Sequence, residues 1–438
     1  MEGNRMKRAL IITYYWPPSG GAGVQRWLKF VKYFRDFGWE PVLYIPEKPE
    51  YPETDLSLQK DIPQNLTILK QPIWEPYTVY KRFIGRKKEE KINAAFLSEK
   101  KQNPILENIA VWIRGNFFIP DARKFWINPS VKYLNRYLME HPVDVLISTG
   151  PPHSLHLIAL RVSRRQHVPW LADFRDPWTN IDFYKDLKLT RKSDQKHRQL
   201  EQAVLRSASA VTVISDTMAS DFNLIFPRKY DVITNGFDTE DIPAGPPPEP
   251  DRKFSIAHIG TLVSTRNPVS LWSALSTLVK TTPGFREDLE IKLVGKIDHT
   301  VSESLETSGL TGFLNRIPYL PHDQVITCQR QSQVLLLIIN DTPNAKMILT
   351  GKFFEYLAAQ RPILSLGPPD GDAAKILQET GAGFIAGHGD QATLQEHILT
   401  YYNRFKKGTL QAESRNIGSY SRKELTQKLV DVLNRISA

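Results

Sequence analysis

The segment Gly351-Lys-Phe-Phe-Glu-Tyr-Leu-Ala-Ala-Gln-Arg-Pro-Ile-Leu-Ser-Leu366 reads as a helix followed at once by a buried strand. Thr350 and Gly351 open the helix and leave backbone N–H groups at its positive end, a ready anion site. Glu355 comes four residues after Gly351 and shares the face above that end. A carboxylate repels phosphate but accepts hydrogen bonds from sugar or ribose hydroxyls. A diphosphate on the helix end with hydroxyls on Glu355 is therefore the outline of a nucleotide-sugar site. The plainer alternative is a first-turn glutamate that complements the helix dipole.

Four further stretches carry polar chemistry at strand ends. Tyr14-Tyr-Trp-Pro-Pro-Ser-Gly-Gly-Ala-Gly23 follows a strand, and Gly20 and Gly21 let the backbone approach a ligand without a Cβ barrier. It lacks the G-x-G-x-x-G spacing of a dinucleotide fingerprint. Ser148-Thr-Gly-Pro-Pro-His-Ser154 sets His153 at a helix start, placed for hydrogen bonding. Asp173, Arg175 and Asp176 in Leu171-Ala-Asp-Phe-Arg-Asp-Pro-Trp178 either neutralise one another or leave one carboxylate to orient an acceptor hydroxyl or take its proton. His258-Ile-Gly-Thr-Leu-Val-Ser-Thr-Arg-Asn267 repeats the strand-to-glycine turn through Gly260 and Thr261. Its Arg266 suits the charge that builds on a departing diphosphate, with Lys296 a second cation after Val294-Gly295. Asp370-Gly-Asp372 sits where a helix cap belongs and is read as a cap. No His/Cys cluster has metal-ligand spacing, so neither a metal nor a cofactor is expected.

These residues need a scaffold that ends strands and starts helices at one edge. Residues 9–14, 41–46, 66–69, 143–149, 170–174 and 210–215 read as strands, with helices at 24–37, 154–165 and 194–206. The pattern restarts with strands at 254–259, 289–294, 334–340 and 362–366, and helices at 270–280, 324–331, 351–359 and 373–379. Alternation of this kind predicts an α/β protein with two doubly wound, Rossmann-like domains facing a cleft, with ligands at the strand carboxyl ends. The expected division is an acceptor-side domain over 1–242 with an irregular, aromatic and basic insertion at 72–130. A Pro-rich linker at 243–252, a donor domain at 253–415 and a terminal helix within 416–438 follow.

At 438 residues the chain exceeds one hydrophobic core. Residues 1–235 hold 36 Lys and Arg against 25 Asp and Glu, whereas the remainder holds 21 against 22. The first half thus faces something anionic, such as a membrane leaflet or an anionic acceptor. Lys81, Arg82, Arg86, Lys87 and Lys88 stand among Trp74, Tyr77, Tyr80 and Phe83, a mixture suited either to a solvated basic helix or to a membrane interface. No nucleic-acid-binding signature is present. The lone Cys328 forms no internal disulfide, and the longest aliphatic run, Val334 to Ile339, is too short to span a bilayer. These features point to the cytoplasm, at most peripheral on the inner face of the plasma membrane.

With these motifs assembled, the chain resembles a bacterial glycosyltransferase of family 4 with the GT-B fold. The resemblance rests on Pro17-Pro-Ser-Gly-Gly21, Asp173-Phe-Arg-Asp-Pro-Trp178, Val213-Ile-Ser215, Asn235-Gly-Phe-Asp238, His258-Ile-Gly260 and Gly351-Lys-Phe-Phe-Glu-Tyr-Leu-Ala358. It implies a retaining, metal-independent sugar transfer from a nucleoside-diphosphate sugar to a glycan or lipid-linked acceptor in surface-polysaccharide assembly. It also implies that Glu355 holds the donor ribose and that Thr350, Gly351, Lys352 and Arg266 take the diphosphate. Gly20 and Gly21 would approach it from the other domain, and Leu320, in Tyr319-Leu-Pro321, would lie at the base. Two positions depart from the pattern: Met347 stands where many relatives carry a second glutamate, and Thr261 where many carry a basic residue. Lys346 or Lys352 would compensate in part. The competing expectations are a nucleotide-sugar epimerase or hydrolase of the same fold, and a non-catalytic nucleotide-sugar-binding subunit.

Overall fold

The computed structural model describes residues 5–51, 54–75, 104–318 and 320–438. The basic cluster at 81–88 and Tyr319 lie outside the described residues. The chain divides into two compact units, one formed by Met1–Thr234 with Arg422–Ala438 and the other by Asn235–Ser421.

The first unit is built on a seven-stranded sheet: β1 (Lys7–Ile12), β2 (Trp39–Pro46), β3 (Thr67–Gln71), β4 (Val145–Gly150), β5 (Trp170–Phe174), β6 (Ala210–Val213) and β7 (Asp231–Val232). Their order is β3-β2-β1-β4-β5-β6-β7, with neighbours paired in parallel. The central strands are buried on both faces, as a sheet covered by helices requires. Helix Ala22–Tyr33 buries Trp27, Phe30 and Val31, and Leu425, Leu429, Val430 and Leu433 of helix Arg422–Ile436 pack into the same core.

The second unit carries six parallel strands: β8 (Phe254–Ile259), β9 (Leu289–Val294), β10 (Leu314–Ile317), β11 (Val334–Ile338), β12 (Ile363–Leu366) and β13 (Gly383–Ala386), in the order β10-β9-β8-β11-β12-β13. In both units the strand order reverses direction beside the first strand, between β1 and β4 and between β8 and β11. Open α/β sheets bind ligands in the crevice outside the strand ends at that point.

Three expectations change. The division falls between Thr234 and Asn235, not in the Pro-rich stretch, because Phe237 enters the core of the second unit and pairs with Ser421. The proline run is coil inside that unit. The terminal helix, starting at Arg422, returns to the first unit. Part of the 72–130 insertion is regular, since residues Pro104–Phe117 form a helix and Ile127–Glu140 another. Edge strands β10 and β13 and helices Asp216–Ile225 and His299–Thr307 escaped the sequence reading, the strands being short and half-exposed.

Candidate active site

In the second unit the donor-side candidates converge where β8 and β11 part. β11 pairs with β8 only at Val334↔Ile256 and Leu335↔Ala257. Beyond that, side chains bridge the opening gap. The buried Tyr356 hydroxyl accepts the Ile259 N–H at 3.1 Å, and His258 Nδ1 lies 3.1 Å from the Leu336 carbonyl oxygen. A carbonyl can only accept, so Nδ1 carries the proton. Burial first, then the nearby Lys352 charge, lower His258 to about 3, so it is neutral.

Gly260 ends this strand with φ +122, a conformation that costs an L-residue dearly, and a Cβ there would run into the Lys352 amine. Lys352 is thus folded back from the first turn of helix Gly351–Ala359 over the glycine turn. Burial lowers its amine to about 8, helped by repulsion from Arg266 and opposed by Glu355. Arg266 lies in the short turn Ser264–Arg266 and is half-buried. Thr350 caps the helix, its hydroxyl accepting from Phe353 N at 3.4 Å, while a Cβ on Gly351 would meet only open space. Two cations, a carboxylate and an accessible helix end therefore share one place. Thr261 is half-buried, Leu320 packs against the core, and Lys296 is exposed, its carbonyl accepting from Leu262 N. Met347 is buried, only 4% exposed, and Lys346 is paired with Asp370. Lys352, not Lys346, fills the space next to Thr261.

Asp370-Gly-Asp372 does not cap. Gly371 holds the cap position with no side-chain bond, and Asp372 pairs with Lys375 at 3.3 Å from the first turn of its own helix.

In the first unit Asp173 is a correction. It is wholly buried and takes hydrogen bonds from Arg26 Nη2 at 2.9 Å, Trp27 Nε1 at 2.7 Å, Thr149 Oγ1 at 2.9 Å and Thr212 Oγ1 at 2.9 Å. Burial alone would raise its carboxyl, but Arg26 and the other donors outweigh it and hold it below the ordinary aspartate value. With its oxygens occupied and no solvent access it ties helix Ala22–Tyr33 to β4, β5 and β6 and is no proton acceptor for a ligand. Arg26 was invisible as its partner because the two are 147 residues apart. An Arg-Trp pair inside an otherwise apolar helix face was the available signal.

Arg175 offsets Asp176 only in part. Its guanidinium donates to the carbonyls of Gly23 (2.7 Å) and Pro151 and so clamps the start of helix Ala22–Tyr33 to the loop after β4. Gly23 permits this, since a Cβ there would sit 3.0 Å from Arg175 Nη1. Gly20 is buried, and Gly21, at φ 89, precedes the helix. His153 is 8% exposed, stacks on Trp178 at 4.6 Å and is kept neutral by burial and by its histidine neighbours. Enclosed in this way it cannot serve as a charged group. Asp176 remains exposed, while desolvation by the surrounding protein, partly offset by Arg175, raises its carboxyl above the ordinary value. A reachable carboxylate with a raised pKa is the group to weigh as base or orienter.

Residues 119–236, which include the Arg175 clamp and Asp176, match the family model described as a glycosyl transferase 4-like domain. Over this stretch the chain is similar to glycosyltransferase 4-like domains. Its fold is the two-domain GT-B fold of solved glycosyltransferases. A glycosyltransferase from Rickettsia africae superposes with a TM-score of 0.62 at 13% identity, covering 98% of each chain. HepE of Anabaena, solved in complex with UDP-glucose, gives 0.55 at 13% identity, again over 98% of each chain. WaaG, a glycosyltransferase involved in lipopolysaccharide biosynthesis, gives 0.57 at 12% identity over 97% of this chain and 99% of its own. No curated protein is similar to the chain in sequence.

Proposed function

We propose that the protein is a retaining glycosyltransferase that moves a sugar from a nucleoside-diphosphate donor, without a metal or other cofactor, to a glycan or lipid-linked acceptor. The setting is cell-surface polysaccharide biosynthesis, in the cytoplasm at the inner membrane face. One observation carries this reading: Lys352, Arg266 and Glu355 meet at an accessible helix end beside the β8/β11 switch point. Negative charge on the departing diphosphate grows toward the transition state, and preorganised cations with helix N–H groups stabilise it without reorganising. Glu355 supplies acceptors for ribose hydroxyls. The UDP-glucose held by HepE and the lipopolysaccharide-biosynthesis role of WaaG support donor class and setting.

The test is turnover of candidate nucleotide-sugars with excess chelator present, together with Glu355→Gln. Activity should survive chelation. The variant should lose donor affinity on the order of tenfold or more, because charge-assisted hydrogen bonds are worth ~1.5–3 kcal/mol each. Activity abolished by chelator and restored by magnesium or manganese would defeat the metal-independent reading. The buried Met347, where the resemblance leads one to expect a second glutamate, favours a second reading, nucleotide-sugar binding without turnover. Product masses with and without acceptor separate these.

A further inference from the structure

Helix Pro104–Phe117 has an unusual distribution of side chains. Its buried side carries Ala110, Val111 and Gly115, and Asn108 and Asn116 tie it to the neighbouring segment. A Cβ on Gly115 would come 2.7 Å from the Leu187 carbonyl oxygen, so the helix backbone lies directly on the turn Tyr184–Leu187. Asn116 donates to the Lys188 carbonyl at 3.2 Å and accepts from Thr190 N at 2.7 Å, and Lys188 Nζ donates to Asn108 Oδ1 at 2.7 Å. Three larger apolar residues of the helix are exposed: Ile109 is 42%, Trp112 40% and Phe117 58% exposed. At 3.6 residues per turn these three fall within about 140° of arc.

The apolar face continues past the helix. Trp112 packs on Phe117 at 5.6 Å, Phe118 on Phe125 at 6.0 Å, and Trp74 on Phe125 at 4.9 Å, with Trp74 57% exposed. Lys124 joins the two groups, its Nζ donating to the Phe117 carbonyl and lying 5.1 Å from the Phe125 ring centre. Exposed Lys185, Lys188, Arg191 and Lys192 flank the supporting turn, against Asp182 and Asp186. The half of the chain that carries this face has the whole excess of positive charge. Two tryptophans and two phenylalanines, with Lys124 between them and Lys188 beside the helix, match the headgroup region of an anionic bilayer, where aromatic rings sit and lysines meet lipid phosphates. A continuous exposed face of this kind is uncommon on a soluble monomer.

We propose that the face formed by Ile109, Trp112, Phe117, Phe125 and Trp74 docks on an anionic lipid bilayer, lying in the headgroup layer without crossing it. No described helix is long and apolar enough to cross a membrane. The proposal deepens the inner-face placement above and supplies its contact surface.

The experiment uses the full chain and vesicles free of donor and acceptor, either phosphatidylcholine alone or mixed with phosphatidylglycerol. Co-sedimentation should be stronger with the mixed vesicles and should weaken, without vanishing, as salt screens the lysines. Trp112→Ser combined with Phe117→Ser should lower partitioning roughly tenfold or more at an unchanged melting point. Brominated lipid should quench wild-type tryptophan fluorescence, and Trp112→Phe should reduce that quenching. Partitioning equal to wild type in the double variant would overturn the proposal. So would a double variant that only converts a dimer to a monomer in sedimentation velocity, since the face would then bind a second copy. Turnover on a soluble acceptor, without vesicles, should be the same in wild type and double variant. Loss of turnover in both would defeat the transferase reading and leave the vesicle result standing.

Discussion

Lys352 is the residue whose chemistry is most specific to this chain. A lysine lowered to about 8 is partly neutral just above physiological pH, and a bound diphosphate would draw the proton back. Donor or nucleoside-diphosphate affinity should therefore be constant below pH 7 and fall as pH rises through about 8. Calorimetry in buffers of different ionisation enthalpy should show proton uptake on binding near that pH. Lys352→Met should weaken binding on the order of tenfold or more and flatten the pH profile. A wild-type profile already flat between pH 7 and 9 would remove Lys352 from the site. The two acids of the Asp173-Phe-Arg-Asp176 stretch should separate just as cleanly. Asp173→Asn leaves Arg26 buried without its counter-charge and should cost about 3–5 kcal/mol in urea unfolding. Because the native Asp173 carboxyl is lowered, its contribution is present above the ordinary 3.8 and is lost only as pH falls through the depressed native value. Asp176→Asn should change stability by no more than about 0.5 kcal/mol while lowering turnover. The reverse pattern would exchange their roles. Sequence placed both acids correctly at a strand end. It could not distinguish them, because the difference lies in Arg26, Trp27, Thr149 and Thr212, which reach Asp173 from distant segments.

At the scale of elements, the site depends on how β8 is held where it leaves β11. Tyr356 replaces a strand neighbour there, and its helix also presents Lys352 and Glu355, so one element fixes both the gap and the groups around it. Tyr356→Phe leaves the buried Ile259 N–H without its acceptor and should cost about 1–3 kcal/mol. Donor affinity should fall as well, though no ligand touches the hydroxyl. Normal donor affinity in a destabilised Tyr356→Phe protein would show that the glycine turn keeps its shape by itself. The strands flanking this gap were legible because Val334–Ile338 is wholly apolar and Phe254–Ile259 is mostly so, bounded by Lys253 and Gly260. β10 and β13 were not, since an edge strand of four residues with half-exposed side chains has neither the length nor the pattern to stand apart from a loop.

At the scale of the whole molecule, the division of the chain is a long-range fact, and local composition misplaced it. Prolines at 243–250 looked like a linker, whereas the change of unit is made by Phe237 entering one core and Leu425 to Leu433 entering the other. The C-terminal helix should therefore stabilise residues more than 200 positions away and leave its immediate predecessors alone. Helix Arg422–Ile436 covers Trp27, Phe30 and Phe34, so Leu429→Ala opens a cavity in the first unit at a cost of about 2–5 kcal/mol. In hydrogen exchange, the amides of Lys7–Ile12 and Ala22–Tyr33 should lose protection, while those of Phe254–Ile259 and Ile363–Leu366 keep theirs. Calorimetry should show one transition moving down in temperature and the other staying in place. Loss of protection in the second unit instead, with the first unchanged, would mean that the helix belongs where its sequence position puts it.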